Sequence, residues 1–191
     1  MHRNSLGASG FTLIEVMIAM VISLVSLVGI AGLSIKTVQQ ESESYQRVQA
    51  LTLVQDMVDR LNVNRRVASC YANGAAGLTV GTGETYSLSC NIGTAAQNAQ
   101  VAADLREWDS NLKGAGAQDR SDNRNVGAAI GARGCITEVD ATNKIYRITV
   151  AWQGLAPTVA PKNACGWGRY GADDSLRRTV NAVVRIGDLS T

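Results

Sequence analysis

Residues 8–20 read ASGFTLIEVMIAM, and an apolar run that begins at Phe11 carries Glu15 inside it. From Phe11 to Ile35 that acid is the one charge in 25 residues. About 20 helical residues at 1.5 Å each cross a bilayer core of roughly 30 Å, so the segment is long enough to span. A carboxylate at the centre of a membrane helix costs roughly 2.5–3.5 kcal/mol on insertion scales. An acid so near the start of the run therefore calls for a partner or an interface.

His2 and Arg3 precede the run and Lys36 follows it. The asymmetry is slight and favours a cytoplasmic N-terminus with the bulk of the chain outside. An ordinary secretory signal would use Arg3 as its basic region and cleave after Ala31, where Gly29-Ile30-Ala31 has the small-x-small form. Two features weigh against it: the early acid, and a run longer than the roughly 7–15 residues such signals use.

The block Gly10, Phe11, Thr12, Leu13, Ile14 and Glu15, within GFTLIEVMIAM, resembles the class III signal of type IV pilins and pseudopilins. The resemblance implies a hydrophilic leader, residues 1–10, removed by prepilin peptidase on the cytoplasmic side after Gly10. It also implies N-methylation of Phe11 and retention of the apolar segment on the mature protein. Cleavage would give Phe11 a positive amine about one turn from Glu15, where a helix N-terminus favours negative charge. In an assembled bundle Glu15 could also meet a neighbour's amine. Losing one partner of a buried pair costs about 3–5 kcal/mol, so the acid would act as a register device. The alternative is an acid that snorkels at the membrane interface.

Ala19, Ser23, Ser26, Gly29 and Gly32 recur at spacings of three and four, which lets membrane helices approach closely. Beyond the apolar run, Val38, Tyr45, Val48, Leu51, Val54, Val58 and Leu61 keep a helical spacing. Glu41, Glu43, Arg47, Asp56, Asp59 and Arg60 mark the wetter side. No proline occurs before Pro157. The pattern predicts one helix from Phe11 to about Arg66, near 80 Å long at 1.5 Å per residue. It has a transmembrane or filament-core part, 11–35, and an amphipathic part, 36–66. The head, 67–191, follows.

In the head, YANGAAGLTVGTGETYSLSC reads as loop, short strand, glycine turn and short strand. Val101, Leu105, Trp108 and Leu112 form a helical stripe, with Trp108 a core anchor. Residues 113–134, rich in Gly, Asp, Asn and Arg, read as an exposed mobile loop. DRSDNRN (119–125) lacks calcium-loop spacing, so no metal is expected. Two strands follow around the turn DATN, and a last strand lies in LRRTVNAVVRIG. Together they predict an α+β fold: a small antiparallel sheet laid on the C-terminal half of the long helix.

The net charge of +2 is too weak and scattered for a nucleic-acid surface. His2 is the only histidine, and no phosphate loop or nucleophile–base set is present, so no catalysis and no cofactor are expected. GWGRYG (166–171) matches G-x-G-x-x-G, but a dinucleotide site needs a strand before it and a helix after it. Here Cys165 precedes and a strand follows. Cys70, Cys90, Cys135 and Cys165 contain no C-x-x-C pair, which argues against zinc. In an exported chain they favour two disulfides, with three connectivities open. The local pairs Cys70–Cys90 and Cys135–Cys165 are preferred for their short loops.

DLREWDSNL, YRITVAWQG and CGWGRYGADDSLRRTV together are similar to the PilV family of type IV pilus minor pilins. That resemblance implies a low-abundance subunit held in the inner membrane, its head periplasmic, before it joins the pilus. It implies partners among the other minor pilins and the major pilin, a role in priming assembly at the tip, and support of twitching motility and adhesion. The alternatives are a minor pseudopilin of type II secretion and a tip adhesin module.

Overall fold

A computed structural model describes residues 10–117, 121, 125 and 127–187. The leader expected at 1–10 therefore lies outside the described residues except for Gly10. Most of 119–125, considered above for metal, lies outside them too. The chain divides into two units, Met1–Ser42 and Glu43–Thr191.

Helix α1 spans Leu13–Val63. In the first unit its large apolar side chains are bare, from Leu13 at 78% exposure to Val16 at 45%. Such a surface is tolerated only in lipid or against other protein. Among the described residues α1 is the one helix long and apolar enough to cross a membrane.

The second unit buries one line of α1: Gln46, Ala50, Val54, Met57 and Leu61, at spacings of four, four, three and four. This corrects part of the expected face. Tyr45, Val48 and Leu51 are exposed, whereas Val54 and Leu61 are buried. Here α1 carries two apolar lines, and the head covers the one in which small Ala50 permits close approach. Past Val63 the chain tightens into a 3-10 turn, Arg65–Val67, and a short helix α2, Ala68–Tyr71.

Strands β1 (Leu78–Gly81), β2 (Arg133–Asp140), β3 (Ile145–Gln153) and β4 (Arg177–Arg185) form one antiparallel sheet in the order β1-β2-β3-β4. The second short strand expected near Tyr86–Ser89 does not form. That segment finds no strand partner, and Tyr86, Leu88 and Cys90 pack on the core individually instead. Alternation sets the two faces. Val80, Ile136, Ile148, Val150 and Val180 point into the core shared with Val54, Met57 and Leu61 of α1.

Helix α3, Ala95–Leu112, completes that core. It opens with a capping box: Gln97 N–H donates to the Thr94 hydroxyl, and Thr94 N–H to the Gln97 side chain. Its predicted stripe, Val101, Leu105, Trp108 and Leu112, is fully buried. The indole reaches the sheet because residue 134 is glycine; a Cβ there would lie 2.3 Å from Trp108 Cη2.

The loop read as 113–134 is packed at its C-terminal end, where Ala129 and Ala132 are buried and β2 starts at Arg133. Opposite the main core, Cys135, Ala151, Cys165 and Tyr170 form a smaller cluster under the 155–175 connection. GWGRYG lies in this connection as turns, with no helix after it.

Candidate assembly site

Gly10 and Phe11 lie in non-helical backbone immediately before α1. Phe11 is 82% exposed. The Glu15 and Val16 amides both donate to the Thr12 carbonyl, at 3.1 and 3.4 Å. Thr12 thus starts the helix, and Glu15 is its third helical residue. The first-turn amides there carry the partial positive charge that favours a carboxylate.

Four hydroxyls of α1 in the first unit are bonded within their own helix. Ser23 donates to the Ala19 carbonyl and Ser26 to the Ile22 carbonyl, both at 2.8 Å. Ser34 and Thr37 do the same to Ile30 and Leu33. Polar groups satisfied this way are cheap to place in lipid. A Cβ added at Gly29 or Gly32 would meet nothing within 4 Å, so both positions present open backbone.

In the second unit, polar contacts fix α1 to the rest of the head. The Arg60 guanidinium meets Asp56 at 2.9 Å, Asp104 at 3.1 Å and Glu107 at 2.9 Å. The hydrogen bond from Arg60 is the main cause that holds the Glu107 carboxyl below its usual range. The Tyr71 hydroxyl donates to Asp104, and Gln100 donates to the same carboxylate at 2.8 Å. Burial first, and the bond to Asp104 second, push the Tyr71 hydroxyl up from its ordinary value. Asp104 is 5% exposed. A buried carboxylate needs this many donors.

A second tie holds the start of this unit. Glu43 Oε1 accepts the Leu155 and Ala156 amides at 3.0 and 3.3 Å and pairs with Arg178 at 3.4 Å. This corrects the sequence reading, which sets Glu43, Asp56 and Arg60 on the wetter side and leaves out Asp104 and Glu107, because the stripe rule counts apolar positions only. The signal that could find them is Asp104 lying between Val101 and Leu105 on a buried face.

Cys70 is joined to Cys90 and Cys135 to Cys165. The second bridge anchors the loop that contains GWGRYG. Arg177 donates to the carbonyls of Pro161, Asn163 and Cys165, and the Tyr170 hydroxyl to those of Gly131 and Ala151. Trp167 is left 75% exposed on that framework.

Two family models match the chain. The prokaryotic N-terminal methylation motif matches residues 6–31. The Tt1218-like model, described as type IV pilin Tt1218, matches residues 32–104. No curated protein and no solved structure matches. Pilin-type proteins are structural; they assemble with other pilins and carry the motif read by prepilin peptidase. Over residues 6–104, which take in the apolar helix and the first part of the α+β head, the chain is type IV pilin-like and carries the N-terminal methylation motif.

Proposed function

We propose that this chain is a minor pilin of the type IV pilus, most like PilV, that primes pilus assembly with other minor pilins near the tip. In this reading it crosses the inner membrane once, N-terminus cytoplasmic and head periplasmic. Prepilin peptidase cuts after Gly10 and Phe11 is then N-methylated. The helix is drawn into the filament when Glu15 meets an amine, and twitching motility and adhesion depend on the result. The role is non-covalent.

The observation that carries the reading is the order of parts. A methylation motif over residues 6–31 takes in most of an exposed apolar helical stretch, and a disulfide-stapled head comes after it in the chain. Intact and N-terminal mass spectrometry of membrane-extracted protein tests the processing step. A terminus at methylated Phe11 is expected, and a terminus at Gly32 would overturn it. Deletion of the gene tests the system served: loss of surface pili and twitching is expected. Loss of protein secretion with intact pili would assign the chain to type II secretion instead.

A further inference from the structure

The outward face of the sheet carries a groove of about 400 Å³, within the range of roughly 300–1,000 Å³ that small-molecule sites occupy. Its floor is built from outward positions on β1, β2 and β3: Thr79, Thr137, Arg147 and Thr149. Residues 162–165 form one wall, bringing Lys162 to the same space. The register sets Thr137 directly opposite Arg147, and Cys135 opposite both Thr79 and Thr149. Outward side chains on neighbouring strands then stand about 5–8 Å apart, the span of a single sugar ring.

The electrostatics of the groove are one-sided. Arg60, Arg133, Arg177 and Arg178 each have a carboxylate within 3.4 Å. Arg147 and Lys162 have no ion pair or side-chain hydrogen bond among the described residues, and no carboxylate lines the groove. Thr149, 2% exposed, lines the same groove. A guanidinium fork matches a carboxylate in plane, and an ammonium adds a point charge beside it.

We propose that this groove binds an acidic sugar, its carboxylate received by Arg147 and Lys162 and its ring hydroxyls by Thr79, Thr137 and Thr149. The volume exceeds what inorganic phosphate fills, and phosphate offers few donors to the threonine oxygens. The inference rests on the head alone, so a deletion phenotype that overturns the pilus reading leaves it standing.

The test is ligand-observed NMR and calorimetry on the full chain in detergent micelles at low salt. The probes are glucuronate, its neutral counterpart glucose, inorganic phosphate and a short acidic peptide. Glucuronate is expected to bind at least tenfold more tightly than the other three, with affinity falling as salt rises. Arg147→Gln is expected to lower glucuronate affinity tenfold or more. Exposed Lys162→Gln, which leaves the core untouched, should lower it several-fold with an unchanged melting temperature, and Thr149→Val should lower it as well. Equal binding of glucose, no binding of glucuronate, or unchanged affinity in both charge variants overturns the proposal. Phosphate binding as tightly as glucuronate would mean an adventitious ion only. Tighter binding of the peptide would mean a protein-docking face, and either result also overturns it.

Discussion

Trp108 of α3 donates its indole N–H to the Leu53 carbonyl of α1 at 2.9 Å. The ring is fully buried, so one side chain joins two helices and fills the space above Gly134. Truncating a buried aromatic to alanine costs about 3–5 kcal/mol. Trp108→Ala is therefore expected to shift the chemical-denaturation midpoint strongly downward. Trp167→Ala, at a site 75% exposed, should stay within about 0.5 kcal/mol of the parent. Similar losses in the two variants would contradict the packing described.

Gly134 makes the complementary prediction. An added Cβ would lie 2.3 Å from Trp108 Cη2 and 2.7 Å from Leu112 Cδ1. Overpacking of this kind costs about 1–3 kcal/mol. Gly134→Ala should lower the melting temperature, and Trp108→Phe in the same chain should recover part of the loss. Additive losses in the double variant would show that the two positions do not share the space.

Tyr71 sets an alkaline limit. Burial and its bond to Asp104 hold its hydroxyl above the ordinary value of 10.0. Above that pH the unfolded chain gives up a proton that the folded chain keeps. The folded state then binds more protons, and stability falls as pH rises. The contribution is fully present below about pH 10 and is lost progressively above it. Melting curves from pH 8 to 11 should show this fall. Tyr71→Phe should begin lower, through the lost hydrogen bond, and decline less steeply. An identical slope in parent and variant would rule out Tyr71 as the titrating group.

The two disulfides should act as separate staples. Bridges closing 20 and 30 residues stabilise by about 3–4 kcal/mol each in the loop-closure account. Cys135→Ser with Cys165→Ser is expected to lower stability by that order and to speed proteolysis at residues 155–175. Cys70→Ser with Cys90→Ser should do so at 82–94. Cleavage at the same positions in both variants would mean that the loops are not independently held.

Glu15 is expected to matter for assembly and not for processing. Glu15→Gln should still yield a mature N-terminus at Phe11 by mass spectrometry, yet be absent from sheared pili. Normal incorporation of the variant into pili would falsify the register role.

Much of this architecture is legible in the residues, for reasons that differ along the chain. The α3 stripe reads cleanly because Val101, Leu105, Trp108 and Leu112 are large, apolar and backed by a polar face. The amphipathic part of α1 misleads, because Val48 and Leu51 continue an apolar line that the head never covers. Burial there follows Ala50 and Met57, chosen by close fit and not by hydrophobicity. The strand expected after Gly83 fails because strand propensity cannot supply a neighbour to pair with. Arg60 reads as a surface charge, and only the fold brings Asp104 to it across 44 residues of chain. The groove of Arg147 and Lys162 is likewise invisible in sequence, since it depends on which cations the fold leaves without a carboxylate.

The hydroxyls of Ser23, Ser26, Ser34 and Thr37, each turned back onto its own helix, bear on how this segment changes medium. None of these donors has to be handed from one partner to another when lipid is exchanged for neighbouring protein. The move is then an exchange of apolar neighbours, in which dispersion attraction to acyl chains gives way to dispersion attraction to side chains. Glu15 stands apart from that indifference as the lone ionisable side chain between Phe11 and Ile35. On the proposed assembly reading, such a helix leaves the bilayer at little polar cost, and Glu15 is the one side chain there that responds to the change of neighbours.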